Sequence, residues 1–169
     1  IAVFRRYPDL KQMPAELVYS LILALTENGQ YDEAEKLFHG RFFAREEGGT
    51  NVRQVYLEVR LQAALAAARA GRKQDADARL TGLSAARPGL DFTKDGMEAQ
   101  LANPRVQYLI GEAELLTGQK DAAEKRLRKL MGSNKGVYGY LAAKKLNDPS
   151  AAARLDTIRK WLGSEHAAG

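Results

Sequence analysis

The chain has 169 residues, the length of one ordinary domain with a continuous core. Hydrophobic residues make up 45% and charged ones 28%, which argues against intrinsic disorder. There is no cysteine, so disulfides, thiolate catalysis and cysteine-built zinc sites are excluded, and no apolar run approaches the roughly 20 residues of a membrane span. The formal charge of +5 is uneven: residues 1–117 carry 15 basic and 16 acidic side chains, residues 118–169 carry 11 and 5. Such a basic end suits nucleic acid, an anionic membrane or an acidic partner, or is simply a solvated helix face. Ala and Leu dominate over Val, Ile and Thr, a composition that favours helix over strand.

In chain order, Ile1 to Arg6 reads as the end of a helix that began upstream, since the sequence opens on Ile rather than Met and reads as a piece of a longer protein. Pro8 stops that helix. Pro14 and Glu16 open the next one, which runs to about Asn28, with Leu17, Leu21 and Leu25 on one face. Gly29 turns the chain into a partner helix from about Tyr31 to His39. Residues 40–50 are a long connection with two aromatics, four charges and a Gly pair. Either the loop is functional, or Phe42 and Phe43 plug the hairpin end while the charges face water.

Thr50 or Asn51 caps the longest helix, which runs to Ala70. Val52, Val55, Tyr56, Val59 and Ala63 lie beside a second stripe of Leu57, Leu61 and Leu65, an arc broad enough for packing on two sides. Gly71 turns the chain again, and Gln74 to Leu83 form the partner helix. The stretch 84–103 is too long for open coil. Pro88-Gly89 marks a turn there, and Asp95 caps a small inserted helix from Gly96 to Leu101. Asn103-Pro104 starts a third pair, Pro104 to Thr117 and Lys120 to Met131, joined at Gly118. After a loop at 132–136, a shorter pair spans Val137 to Leu146 and Pro149 to Leu162, with Leu155, Ile158, Trp161 and Leu162 as a buried stripe. Residues 1–163 form a single helical-repeat domain, and 164–169 are a frayed tail.

Three of these turns share Gly, then four residues, then Ala: Gly29 with Ala34, Gly71 with Ala76, Gly118 with Ala123. The Ala is small where two helices cross closely. The fold class is therefore all-α, an array of antiparallel helix hairpins with two long inter-repeat loops.

The hairpins resemble the tetratricopeptide repeat family. Leu21-Ile22, Ala63-Ala64 and Ile110-Gly111 occupy the family's Leu-small position. Ala34, Ala76 and Ala123 match its Ala, and Phe38, Leu80 and Leu127 its second aromatic. The first aromatic position departs, holding Val18, Arg60 and Gln107. Successive glycines are 42 and 47 residues apart, longer than the family's repeat, and the excess falls in the two long loops. The resemblance implies an α-solenoid whose inner groove exposes Glu16, Tyr19, Leu23, Glu58, Leu61, Arg105, Tyr108 and Glu112. That mixture suits a protein or peptide, or another domain of the same chain. It also suits a further layer of packing. Family members that grip a terminal carboxylate use a Lys/Asn/Arg clamp. Tyr19 and Leu23 stand where its first residues would be, which disfavours that partner class.

A narrower resemblance covers Arg41 to Val55. That run is similar to a segment of large bacterial proteins in which a repeat region follows a β-rich, mutarotase-like domain associated with carbohydrate. It implies that this chain is their C-terminal helical part and says nothing direct about chemistry in these residues; a loop lent to an upstream active site, with Arg45, Glu46 or Glu47 reaching a carbohydrate, is a separate alternative.

Catalytic chemistry within the chain itself is weakly signalled. His39 and His166 have no second His or Cys at ligand spacing, so no metal site is expected. Gly48-Gly49 lacks the Lys-Ser/Thr of a phosphate loop, and no cofactor is expected. Glu46 and Glu47 are the residue type of a glycosidase acid/base pair, but adjacent positions in one loop rarely face one cleft. The expectation is a non-catalytic interaction scaffold, with nucleic acid disfavoured as its partner. The alternative is an accessory domain lending a loop to a carbohydrate-active enzyme.

Overall fold

Four helix pairs close through one hydrogen-bonded turn. In the first three, Gly29, Gly71 and Gly118 take φ of 72°, 75° and 91°. The amide of each donates to the carbonyl three residues back, and the next amide reaches five residues back: Gln30 N to Leu25 O at 2.9 Å, Arg72 N to Ala67 O at 2.9 Å, Gln119 N to Glu114 O at 2.8 Å. These bonds satisfy carbonyls that a helix end would otherwise leave open. The fourth turn has the same bonds, Asn147 N to Lys144 O at 3.2 Å and Asp148 N to Ala143 O at 2.9 Å, with Asn147 at φ 54° in the glycine's place. The sequence pattern missed this copy because Asn replaces Gly. Ala34, Ala76 and Ala123 are all fully buried, as their place at the helix crossings requires.

A Cβ in the left-handed region costs about 1–2 kcal/mol, less for Asn than for other residues. Gly118→Ala is therefore expected to lower the urea midpoint by that equivalent. Asn147→Gly should stay within about 0.5 kcal/mol of the parent protein. Equal effects at the two sites would contradict this account of the turns.

The computed structural model describes residues 1–6, 9–41, 43, 51–94 and 97–166. Its helices are α1 (Ala15–Glu27), α2 (Tyr31–Lys36), α3 (Val52–Arg69), α4 (Lys73–Thr81), α5 (Met97–Leu101), α6 (Pro104–Thr117), α7 (Lys120–Ser133), α8 (Val137–Lys145) and α9 (Ala151–His166). The fold is all-helical. Among the described residues the only β pairing is an isolated bridge between Arg87 and Leu90, which brackets the Pro88-Gly89 turn. No helix among them is long and apolar enough to cross a membrane. The chain divides into two compact units, residues 1–101 and 102–169. The first is electrically balanced, with 14 basic and 14 acidic side chains; the second has 12 and 7 and carries the whole net charge.

Helix α3 is the centre of the first unit. The Asn51 side chain caps it, accepting from the amides of Arg53 and Gln54, and twelve of its eighteen residues are buried. Both expected stripes are among them, and α3 packs against α1, α2, α4 and α5. In the second unit α6 and α7 pair tightly because Gly111 has no side chain: a Cβ there would stand 2.9 Å from Leu127. Leu127, Leu130 and Ala142 form the core between α7 and α8. Gly139 lets the Asn134 carbonyl press against α8, where any Cβ would collide with it.

Several boundaries differ from those read in the sequence. Residues Phe4–Arg6 form a 3-10 turn rather than the end of an α-helix. Helix α2 stops at Lys36, and Leu37, Phe38 and His39 continue it through three-residue hydrogen bonds, a tighter winding than an α-helix. Helix α9 starts at Ala151, because Asp148 accepts from the Ser150 amide and holds Pro149 and Ser150 in the turn. It then runs on to His166, through positions expected to fray. Its stripe is not buried as expected. Leu155 and Ile158 are half-buried, but Trp161 is 59% and Leu162 49% exposed, because the shorter α8 covers only part of α9.

Candidate functional site

The two long loops of the first unit come together. Phe43 from one and Phe92 from the other join Tyr19 of α1, Phe38 beyond α2 and Tyr56 of α3 in one aromatic cluster. Ring centroids lie 5.1 Å apart for Tyr19–Phe43, 5.9 Å for Phe38–Phe43, 5.4 Å for Phe38–Tyr56 and 5.8 Å for Phe38–Phe92. Phe92 also meets Tyr56 at 5.4 Å and Phe43 at 6.2 Å, both edge to face, the arrangement ring quadrupoles favour. Phe43 thus plugs the hairpin end, one of the two readings open from sequence. Phe42 and residues 44–50, including Arg45, Glu46 and Glu47, lie outside the described residues.

Beside the cluster lies a cavity of about 590 Å³, lined by Gly40, Arg41, Phe43 and Val52, Arg53 on one side and Gly89, Asp91 and Phe92 on the other. That volume falls in the range of small-ligand pockets. Gly40 and Gly89 both have left-handed backbones, with φ of 67° and 78°, and His39 stands beside Gly89. Each arginine is pinned by a backbone carbonyl: Arg41 Nη1 donates to Met13 O at 2.8 Å and Arg53 Nε to Phe92 O at 2.9 Å. Asp91 pairs with Lys94 at 2.6 Å near the surface. The lining thus combines two arginines, two phenylalanines and one aspartate, with both arginines and the aspartate already engaged by neighbours.

Next to the cluster is an ionic network that ties three helices. Arg60 of α3 is 5% exposed; its Nη1 donates to Glu35 of α2 at 2.7 Å and its Nη2 to the carbonyl of Arg79 at 2.9 Å. Arg79 of α4 in turn pairs with Asp32 at 2.8 Å and Asp75 at 2.9 Å. The hydrogen bond from Arg79, with further help from Arg72, holds the Asp75 carboxyl below its ordinary pKa. Burial pushes the Tyr56 hydroxyl above its ordinary pKa, against the opposing charges of Arg60 and Arg87. The second unit repeats the device: Arg126 of α7 forks onto Glu114 of α6 at 2.8 and 2.9 Å and reaches Gln107 at 2.7 Å.

The expected groove residues separate into two groups. In the first unit Glu16 and Leu23 are exposed on α1, and Glu58 is half-buried, accepting from Gln62 at 2.8 Å. Leu61 is fully buried and Tyr19 is 8% exposed, so these two belong to the packing rather than to an open surface. In the second unit Arg105, Tyr108 and Glu112 are half-buried. Tyr108 packs on Tyr138 of α8, and Glu112 pairs with Lys145 of α8 at 3.3 Å. Burial raises the Tyr108 pKa. Tyr108 and Glu112 therefore serve the next layer of packing, the alternative left open from sequence.

No protein-family model, curated protein or solved structure matches the chain. The side chains around the cavity must therefore speak for themselves. Sequence reading missed Arg41, Arg53, Asp91 and Phe92 as neighbours. No local spacing links the loop at 40–43 to the loop at 89–92; only the fold of α3 and α4 between them does.

Proposed function

We propose that this chain is a non-catalytic interaction module built on tetratricopeptide-like hairpins. It binds a protein or peptide, or docks on another domain of the polypeptide it belongs to. The observation that carries the reading is the recurrence of one turn, with the same two hydrogen bonds, in four successive hairpins. A chain that repeats one hairpin builds surface from its helix faces, and such faces serve recognition in repeat proteins. Glu16 and Leu23 on α1 are the open contacts of the first unit, with Glu58 beside Gln62 on α3.

Photo-crosslinking in the intact polypeptide tests this. A photoreactive residue at Leu23 is expected to give a discrete adduct, to a second protein or to a distant part of the same chain. One at Glu33, exposed on α2, should not. Equal labelling at both positions, or none at Leu23, contradicts the proposal.

A second reading draws support from the cavity between the long loops. There the unit acts as an accessory domain that lends a loop to an upstream carbohydrate-active site, with Arg45, Glu46 and Glu47 reaching the sugar and Phe43 and Phe92 holding the loops in place. Glu46→Gln and Glu47→Gln in the full-length protein decide it: unchanged turnover of the carbohydrate ends this reading.

A further inference from the structure

Buried donors are almost always paired, so unpaired ones call for something that completes them. Where α3 faces the end of α4, the Tyr56 hydroxyl, Arg60 Nε and Arg87 Nε are each sealed from water and have no hydrogen-bond partner. Tyr56 and Arg60 are four residues apart on α3 and share a face. Arg87 comes from the loop beyond α4, and its amide donates to the buried Thr93 hydroxyl at 2.8 Å, which fixes its backbone. The two guanidiniums converge over Gly82, the residue that ends α4. A Cβ there would collide with Arg87 Nη2 and stand 3.4 Å from Arg60 Nη2. Burial raises the Tyr56 pKa, and both arginines are close enough to pull against it. The carboxylates nearby are committed elsewhere: Glu35 accepts from Arg60 Nη1 at 2.7 Å, while Asp32 and Asp75 lie on Arg79. Among the described residues no carboxylate pairs with Arg87, so one half-buried guanidinium stands beside another without an acceptor.

We propose that Arg87, Arg60 and Tyr56 form a binding site for a small carboxylate, which accepts the hydrogen bonds these groups leave open. The donors set the sign of the ligand. A water molecule could accept from them but would leave two adjacent positive charges without compensation, whereas an oxyanion does both. The planar edge of a guanidinium suits an anion with two coplanar oxygens. Glu35 sets the charge of the ligand. It stays on Arg60 and already offsets one guanidinium, so a singly charged ligand completes the balance and a doubly charged one would be repelled by Glu35. The way in is past Arg87: only its Nε is sealed, the residue is half-buried, and Gly82 puts no side chain in the mouth. Glu16 and Leu23 take no part in this site, so crosslinking at Leu23 and the titration below succeed or fail separately.

Formate, the smallest carboxylate, is the probe. It is added to the whole protein and read by NMR at the Nε–H signal of Arg87, identified by its loss in Arg87→Lys. Formate is expected to shift that signal saturably, with half-saturation at roughly 10 mM or below. Sodium chloride at the same concentration should give only the small drift of screening. Tyr56→Phe keeps the ring in the aromatic cluster and removes only the hydroxyl; it should weaken formate binding about threefold or more. The rise in urea midpoint that formate gives over chloride should vanish in Arg87→Met, a readout that survives loss of the reporter. An acetylated, amidated Gly-Asp-Gly peptide then separates the sources: the same shift at lower concentration assigns the carboxylate to a partner's side chain, and a shift with formate alone assigns it to a free acid. Four results overturn the proposal: no saturable shift; an equal shift with chloride; binding of sulfate as tight as that of formate; or unchanged affinity in Tyr56→Phe together with an unchanged formate effect in Arg87→Met.

Discussion

Phe38→Ala is expected to destabilise the first unit by about 3–5 kcal/mol, the range for emptying a fully buried aromatic site. Phe38 has no exposed surface and touches Phe43, Tyr56 and Phe92 at once. Its loss leaves a cavity and also releases the anchor rings of both long loops. Two measurements check this. Urea unfolding should show the drop in stability. Native-state hydrogen exchange should show faster exchange at the Leu90 and Thr93 amides, whose bonds to Arg87 and Leu90 close the second loop. Phe38→Leu fills much of the volume and should cost clearly less. A cost below about 1 kcal/mol for Phe38→Ala would mean the cluster is not the core of the unit.

The aromatic cluster shows how far local pattern carries. Hairpin turns are legible because a glycine in the left-handed region, an Ala five residues on and flanking apolar periodicity all lie within about a dozen residues. Gly29, Gly71 and Gly118 meet that condition, and all three have positive φ. The burial of α3 is legible for the same reason, since both its stripes lie in one helix. Pairing between loops is not. Phe43 and Phe92 meet across 49 residues, and nothing near either one announces the other.

The exposure of Trp161 was illegible for a different reason. Periodicity says which residues share a face, not whether a neighbouring helix is long enough to cover it. Helix α8 is too short by nearly two turns. The departures at Arg60 and Gln107 lie between these cases. A charged or polar residue at a position expected to be aromatic is plain in the sequence. The partners that make it tolerable, Glu35 and Arg79 for one and Arg126 for the other, come from other helices.

Arg60→Met is expected to cost about 3 kcal/mol, the lower end of the range for removing one partner of a buried pair, because it frees the Arg79 carbonyl and strips Glu35 of its 2.7 Å contact, leaving that carboxylate only Arg79 at 3.9 Å. The cost arises from what is left behind rather than from the worth of the pair. The double variant Arg60→Met/Glu35→Leu, which leaves no under-paired carboxylate beside Arg79, should therefore recover most of it. A double variant as unstable as the single one would show that Arg60 acts through packing alone. Alkali gives an independent readout through Tyr56. Its folded pKa lies above the ordinary value because burial outweighs the charges of Arg60 and Arg87. The folded state thus holds that proton more tightly than the unfolded chain. The resulting stability is complete below the ordinary tyrosine pKa, near 10, and is lost as pH rises from there toward the folded value. Removing Arg60 takes away one of the two opposing charges, so Tyr56 should ionise at still higher pH. The pH at which the urea midpoint stops falling in alkali should then move upward in Arg60→Met. Acid acts on the other end of the network with opposite sign. Asp75 is held below its ordinary pKa first by the hydrogen bond from Arg79, so its contribution persists above the usual carboxylate range and fades as pH falls through its depressed value. The Asp75 side chain is 39% exposed and screened by water, so that loss stays within about 1 kcal/mol. The asymmetry between a costly Arg60→Met and a mild acid effect follows from depth. The same chain of charges runs from a buried α3 to a solvated α4, and each link is worth what water leaves of it.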